Sequence, residues 1–296
     1  MPLDPDARDA YHEAGEILAQ VRAETVDRIE IGAEHLAVAE FAEDRIRELG
    51  GKPAFPLNIS IDEEAAHRTP AIDDDATFGS DLVNIDIGVH VDGWIADSAI
   101  TVDLTGDHEP LVTASAEALE AAIERVEAGV DTAELGATIE ETIREHGYKP
   151  VVNLTGHGLD RYEQHTDPTI PNRSVSSGTT LEAGDVIAIE PFATDGSGKV
   201  MEGSNEEIFA LDAERSVRNR DARQALEQIT SEFRTLPFAT RWLDVRRPAM
   251  AIRRLKRQDI VHGYPVLKEA DGTFVSQKEH TLIVTEDGCE VTTRAE

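Results

Sequence analysis

Cysteine is almost missing from this chain. Its 296 residues hold one, Cys289, which excludes an intramolecular disulfide framework. Lysine is scarce too. Lys52, Lys149, Lys199, Lys256, Lys268 and Lys278 are six of the 28 basic groups, so arginine supplies the other 22. No apolar run approaches the ~18 residues of a membrane span. The first ten residues are acidic and proline-containing rather than basic and then apolar, so no signal peptide is expected. With 28 basic against 59 acidic side chains, the net charge is −31. Nucleic acid and anionic membranes need a basic face, so neither DNA nor a membrane is expected as the main partner. The expectation is a soluble cytoplasmic protein.

What is present is acid interleaved with clear apolar periodicity, which rejects disorder. The length suits one large domain or two ordinary ones, and either buries a core without staples. Many carboxylates with few lysines make a self-repelling surface at low salt. Molar salt screens to ~3 Å and removes that cost. We therefore expect a halophilic, high-salt cytoplasm.

Asp6 to Ile29 reads as an amphipathic helix, and Glu34 to Leu49 as a second, ended by Gly50-Gly51. Phe55 to Ile61 is extended. Leu82 to Gly88 and Trp94 to Val102 read as strands of a hairpin about Asp92-Gly93. His108 to Ala128 and Thr132 to His146 read as helices, Val151 to Leu154 and Val186 to Phe192 as short buried strands. The stretch 213–262 is Arg-rich and lacks clear strands, which suggests an inserted helical subdomain. His280 to Thr293 closes the chain as a hairpin about Asp287-Gly288. Ser80 to Asp86 echoes Gly184 to Glu190: an acidic start, an apolar strand, a carboxylate in seventh place. That suggests two related halves presenting carboxylates to a shared centre.

Candidate chemistry gathers at strand ends. In the first hairpin, pairing Asp97 with either Asp86 or Gly88 suits a two-residue loop. Either register puts Asp86 and Asp97 on one face. Two carboxylates that close repel unless protonated or metal-bound. His157 lies between Gly156 and Gly158 after a strand, and these glycines permit close approach of backbone and ligand. Glu190 ends an apolar strand, where an unpaired carboxylate is costly to bury, and Glu279 precedes another. Each alone is an ordinary turn or salt-bridge residue. Together, four carboxylates and an imidazole suit a pair of hard divalent ions.

The set resembles a known family. Asp81 through Asp97, in particular Asp86-Ile87-Gly88-Val89-His90-Val91-Asp92-Gly93, is similar to a signature of the type II methionine aminopeptidases, metallopeptidases of the pita-bread fold. Ala65-Ala66-His67-Arg68-Thr69-Pro70 resembles another of their segments, with Arg68 replacing an aromatic. His157 and His165 keep the family's eight-residue spacing, Thr235-Leu236-Pro237-Phe238 and Arg241-Trp242-Leu243 resemble its helical insert, and Gly263-Tyr264-Pro265 and Glu279-His280-Thr281 complete the order. Asn84 stands where the family carries lysine. Strand alternation is expected to turn it away from the metals, with no loss of activity.

The resemblance implies an α+β pita-bread fold over residues 1–296: two pseudo-symmetric halves around a curved antiparallel sheet, with the insert at 213–262. It implies two divalent ions (cobalt, manganese, iron or zinc) on Asp86, Asp97, His157, Glu190 and Glu279, with Asp97 and Glu279 bridging. A water or hydroxide between the ions would attack and Glu190 would shuttle the proton. His67 would donate toward the scissile amide nitrogen or the metal-bound species, and His165 would contact the scissile carbonyl oxygen. Phe55 would line a methionine pocket and Tyr264 its mouth. The expected substrate is a nascent polypeptide beginning with methionine and a small residue, and the expected state a monomer. A ribosome contact by the Arg-rich insert stays open.

Two rivals remain. An X-Pro dipeptidase or aminopeptidase of this fold would use the same ligands, but usually carries a large domain before the catalytic half. Here the metal signature begins near residue 81. A non-catalytic scaffold relative is opposed by the retention of all five ligand positions with His67 and His165.

Overall fold

The computed structural model describes residues 3–294. Two helix pairs each cover a sheet, and the two sheets meet along one seam. Helix Pro5–Val26 begins where the Asp4 side chain accepts from the backbone N–H of Asp6 at 3.0 Å, with Pro5 in its first turn. It stops at Val26, one turn short of expectation. Helix His35–Glu48 ends at Gly50, whose φ of 99° only glycine adopts at little cost.

Both helices lie on a four-stranded antiparallel sheet of Lys52–Pro53, Leu82–Val91, Asn58–Ile61 and Trp94–Asp103. Strand Leu82–Val91 is central. Its odd residues Val83, Ile85, Ile87 and Val89 bury into the helix layer with Leu18, Val21, Val38 and Ile46. Each such side chain contributes about 1.5–3 kcal/mol. The even residues Asn84, Asp86, Gly88 and His90 therefore share the opposite face. The turn is Asp92-Gly93, both at positive φ, and the register sets Gly88 opposite Asp97. That settles the pairing the sequence left open.

The second half repeats the plan. Helices Glu109–Ile123 and Thr132–Glu145 cover a five-stranded antiparallel sheet of Gly288–Val291, His280–Thr285, Val186–Ile189, Thr155–Asp160 and Glu163–Pro171. Leu119, Leu135, Ile139 and Ile143 pack there on Ile187, Ile189 and Leu282. The echo between residues 80–86 and 184–190 thus falls on corresponding central strands of the two halves.

Three readings need correction. Val151–Leu154 is a turn, and the strand starts at Thr155. Val151 is apolar because it packs with Phe192 and Val200, not because it is in a sheet. The run Val186–Phe192 breaks at Glu190-Pro191 into Val186–Ile189 and Phe192–Thr194, since proline has no N–H for the ladder. The stretch 213–262 holds helices Arg220–Gln228 and Pro248–Lys256, but it also holds the strand Phe238–Ala239 and, from 261, part of Val261–Tyr264. Both pair with Ile208–Leu211. A two-residue strand is too short to show a period. This part has its own core around Phe238, Ala225, Ile252 and Leu255.

Candidate metal centre

The seam between the halves is stitched by polar contacts. Asp97 N–H donates to Thr281 Oγ1 at 2.8 Å, and that hydroxyl donates back to the Asp97 carbonyl at 2.9 Å. Ser98 Oγ donates to the Glu279 carbonyl at 2.6 Å, and Glu279 N–H reaches Ala99 O at 3.1 Å. Strand pairing thereby fixes Asp97 beside Glu279.

The five residues expected to hold metal lie together on the wall of a cavity of about 650 Å³ between the halves. One ligand atom each from Asp97, His157 and Glu279 falls within 4.8 Å of the others. His157 Nε2 is 3.9 Å from Asp97 Oδ2 and 3.6 Å from Glu190 Oε1. Asp86 shares the face of Gly88, which is paired with Asp97. Burial, then mutual repulsion, lifts the carboxyls of Asp86, Glu190 and Glu279 well above the ordinary range, and burial pushes Asp97 up to about 7. One oxygen each of Asp86 and Asp97 is buried with no hydrogen-bond partner. A cluster of buried acids with orphaned acceptors is short of positive charge, and an all-oxygen-and-imidazole set fits hard divalent ions.

The histidine tautomers agree. His157 Nδ1 lies 3.1 Å from the carbonyl of Gly158, which can only accept, so Nδ1 carries the proton. The lone pair of Nε2 then faces the carboxylates, as a ligand requires. Burial and His165 hold the ring neutral, with its pKa lowered to about 3. His157 is within the strand Thr155–Asp160 rather than in a glycine turn. Its flanking glycines make room for neighbouring backbones, not for a ligand. A Cβ at Gly156 would meet Ala188 O at 2.3 Å, and one at Gly158 would meet Asp167 O at 2.1 Å.

The other expected site residues line the same cavity. His165 stands edge-on to His157 at 4.5 Å between centroids. His67, at a φ of 66°, stands edge-on to Tyr264 at 5.3 Å, with Nδ1 3.3 Å from Pro265 O. Burial and the nearby His165 lower its pKa to about 4. The Phe55 ring packs against Gly88, where a Cβ would meet Phe55 Cε1 at 2.2 Å. That glycine is the space Phe55 occupies.

One expectation fails. Asn84 does not turn away from the carboxylates, because 84 and 86 have the same parity on one strand. Asn84 Nδ2 donates to Gln277 Oε1 at 2.6 Å, and Gln277 Nε2 donates to Glu190 Oε2 at 3.2 Å and to Glu279 Oε2 at 3.3 Å. Gln277 was missed in the sequence, as was Gln164, which donates to Asp97 Oδ2 at 3.4 Å. The signal for Gln277 was available: it precedes Glu279 by two, the spacing of one strand face. Arg68 does not enter this cavity. It donates to Ile59 O at 3.0 Å and lies 3.2 Å from Glu64.

Comparison with known proteins agrees with this geometry. Residues 9–286 match metallopeptidase family M24. A methionine aminopeptidase of Archaeoglobus fulgidus is 50% identical over 293 residues, covering 99% of this chain and 100% of that one. One of Methanocaldococcus jannaschii is 47% identical, covering 95% and 97%. Among solved structures, methionine aminopeptidase from Thermotoga maritima superposes with a TM-score of 0.74 at 23% identity, over 100% of this chain and 99% of that one, a likeness of fold.

Proposed function

The chain belongs to the methionine aminopeptidases of metallopeptidase family M24, and we propose that it removes the N-terminal methionine of polypeptides with a small second residue, in the cavity between its two halves. The observation that carries the mechanism is the buried cluster of Asp86, Asp97, His157, Glu190 and Glu279, with its orphaned oxygens and the His157 lone pair turned inward. These five would hold two divalent ions, cobalt, manganese, iron or zinc by ligand type. When bound, the ions supply Lewis acidity, which lowers the pKa of a water and offsets charge developing at the scissile carbonyl.

The chain's own residues do the rest. Phe55, with Pro237 from the insert and Ile208 just before it, offers an apolar wall to the thioether. Tyr264 stands at its mouth against His67. Glu190 Oε1, at the cavity wall beside His157, takes a proton from the attacking water and returns it to the leaving amine. His165, neutral, donates an N–H to the carbonyl oxygen. His67 differs from the role the resemblance implied. Pro265 O fixes its proton on Nδ1, so Nε2 accepts from the N–H of the scissile amide rather than donating to it. The site has room for methionine but faces the second residue with His67 and Tyr264, which favours a small side chain there.

We place this activity in a salt-rich cytoplasm, in a monomer acting on nascent chains. The support is the charge of −31, the six lysines and the absence among described residues of a helix long and apolar enough to cross a membrane. The whole chain serves as one catalytic domain, with 213–262 as its insert. The test is release of free methionine from a Met-Ala-Ser peptide in high salt, by metal-stripped and by manganese- or cobalt-loaded protein, beside an Ala-Pro peptide. Metal-dependent release from the first alone is expected. Cleavage of the Ala-Pro peptide instead would overturn the substrate assignment.

A further inference from the structure

A second cavity, of about 530 Å³, adjoins the first, and His67 lines both. Three segments pass from the lining of one to the lining of the other. Ala66 faces the first cavity and Arg68 the second, Ile208 the first and Glu207 the second, Tyr264 the first and Val266 the second.

The second cavity is built around charge. Its cations are already engaged. Arg68 Nε lies 3.2 Å from Glu64, and Lys268 Nζ lies 3.1 Å from Glu64 and 3.6 Å from Glu63. Glu206 pairs with Lys256. Glu207 is different. Among the described residues no ion pair to it is formed, and it is half-buried at the cavity wall. Burial first, and the nearby Asp73 and Asp74, raise its pKa, against the Thr240 hydroxyl and Arg241. Asp74 lines the same cavity. A carboxylate in this setting is stabilised by a cation brought to it.

We propose that the second cavity receives the third and fourth residues of the substrate and favours a lysine or arginine there through Glu207. This rests on the aminopeptidase reading, in which His67 meets the scissile amide, so the chain beyond that bond leaves on the His67 side. Two extended residues span about 7 Å, enough to cross a one-residue partition.

The acidic surface as a whole also attracts cations, and the test separates the two. Peptides of the form Met-Ala-Xaa-Ser-Ser-Ser-Ser-Ser, with Xaa as Ser, Lys or Glu, are compared with one carrying lysine only at the eighth position. The metal-loaded protein is assayed in molar KCl, where ~3 Å screening removes the long-range field and leaves contacts. The expected order of kcat/KM is Lys over Ser over Glu at the third position, with each step about three- to fivefold, as for a partly exposed ion pair. Lysine at the eighth position is expected to give no gain. Glu207→Gln should bring the Lys-to-Ser ratio near one, whereas Glu145→Gln, on an exposed helix face, should leave it unchanged. Equal rates for all third residues would overturn the proposal. So would a lysine preference that survives Glu207→Gln or appears equally from the eighth position. Failure to release methionine from any of these peptides would remove the aminopeptidase reading and this proposal with it.

Discussion

Replacing Gln277 by leucine should weaken metal binding without unfolding the protein. Gln277 is fully buried, with its amide between two carboxylates and Asn84. Its Nε2 gives one hydrogen bond each to Glu190 and Glu279, at 3.2 and 3.3 Å, both long for charge-assisted bonds. Each holds a carboxylate in the orientation its neighbours need. Such outer contacts are worth roughly 10–100-fold in metal affinity. A 30-fold loss corresponds to about 2 kcal/mol, consistent with two weak bonds at about 1 kcal/mol each. Leucine is close in volume, so little cavity forms, and Asn84 Nδ2 keeps Ala65 O at 3.4 Å. The assay is calorimetric titration of metal-stripped protein with Mn²⁺, with thermal unfolding of the metal-free forms alongside. The dissociation constant should rise ~10–100-fold, and saturating metal should restore most of the activity. Asn84→Leu should act in the same direction and less. An unchanged dissociation constant in Gln277→Leu would refute the positioning argument.

Other consequences concern stability. Arg241 and Glu43 form an ion pair, each side chain only 4% exposed, further tied by Trp242 Nε1 to Glu43 at 2.7 Å and by Arg241 to Thr69 Oγ1 and Pro70 O at 2.9 Å. Arg241→Met should cost about 3–5 kcal/mol in denaturant unfolding, since it leaves a buried carboxylate without its cation. Adding Glu43→Leu should recover part of that loss. His90 is buried with Nδ1 accepting from Gly93 N–H at 3.1 Å, and burial lowers its pKa to about 4. Between pH 6.5 and 4 the unfolded chain therefore binds a proton that the folded one does not. The stabilisation of about 3 kcal/mol is present above pH 6.5 and fades as pH falls toward 4. In the metal-free protein, His90→Gln should flatten that part of the stability-against-pH curve. With a net charge of −31, the melting temperature should climb from dilute to molar KCl. A flat curve would count against a high-salt origin.

The first hairpin was legible because its sequence is locally consistent. Val83, Ile85, Ile87 and Val89 alternate with polar residues around an Asp92-Gly93 turn that needs positive φ twice. The five clustered residues were legible for a similar reason, as polar side chains at places where burial is expensive. What local pattern could not decide was register and reach. Either Asp86 or Gly88 could face Asp97 until the sheet was seen. The strand Glu163–Pro171, which carries His165, was missed because its first half is polar and lies at a sheet edge. The role of Gln277 depends on a contact with residues 87 and 193 positions away in the chain, which no window contains. Asn84 shares the parity of Asp86 on one strand, so its place on the carboxylate face follows from the strand alone.

We propose that Asp86, Asp97, His157, Glu190 and Glu279, which line one cavity, hold two divalent ions on which methionine release depends. The most direct measurement is titration of metal-stripped wild type, His157→Ala and Glu190→Ala with Mn²⁺, each checked for an intact fold by circular dichroism, with methionine release followed at every addition. The wild type should bind two equivalents with activity rising with occupancy, and both variants should lose tight binding and nearly all turnover. Near-normal binding or turnover in either folded variant would contradict this proposal.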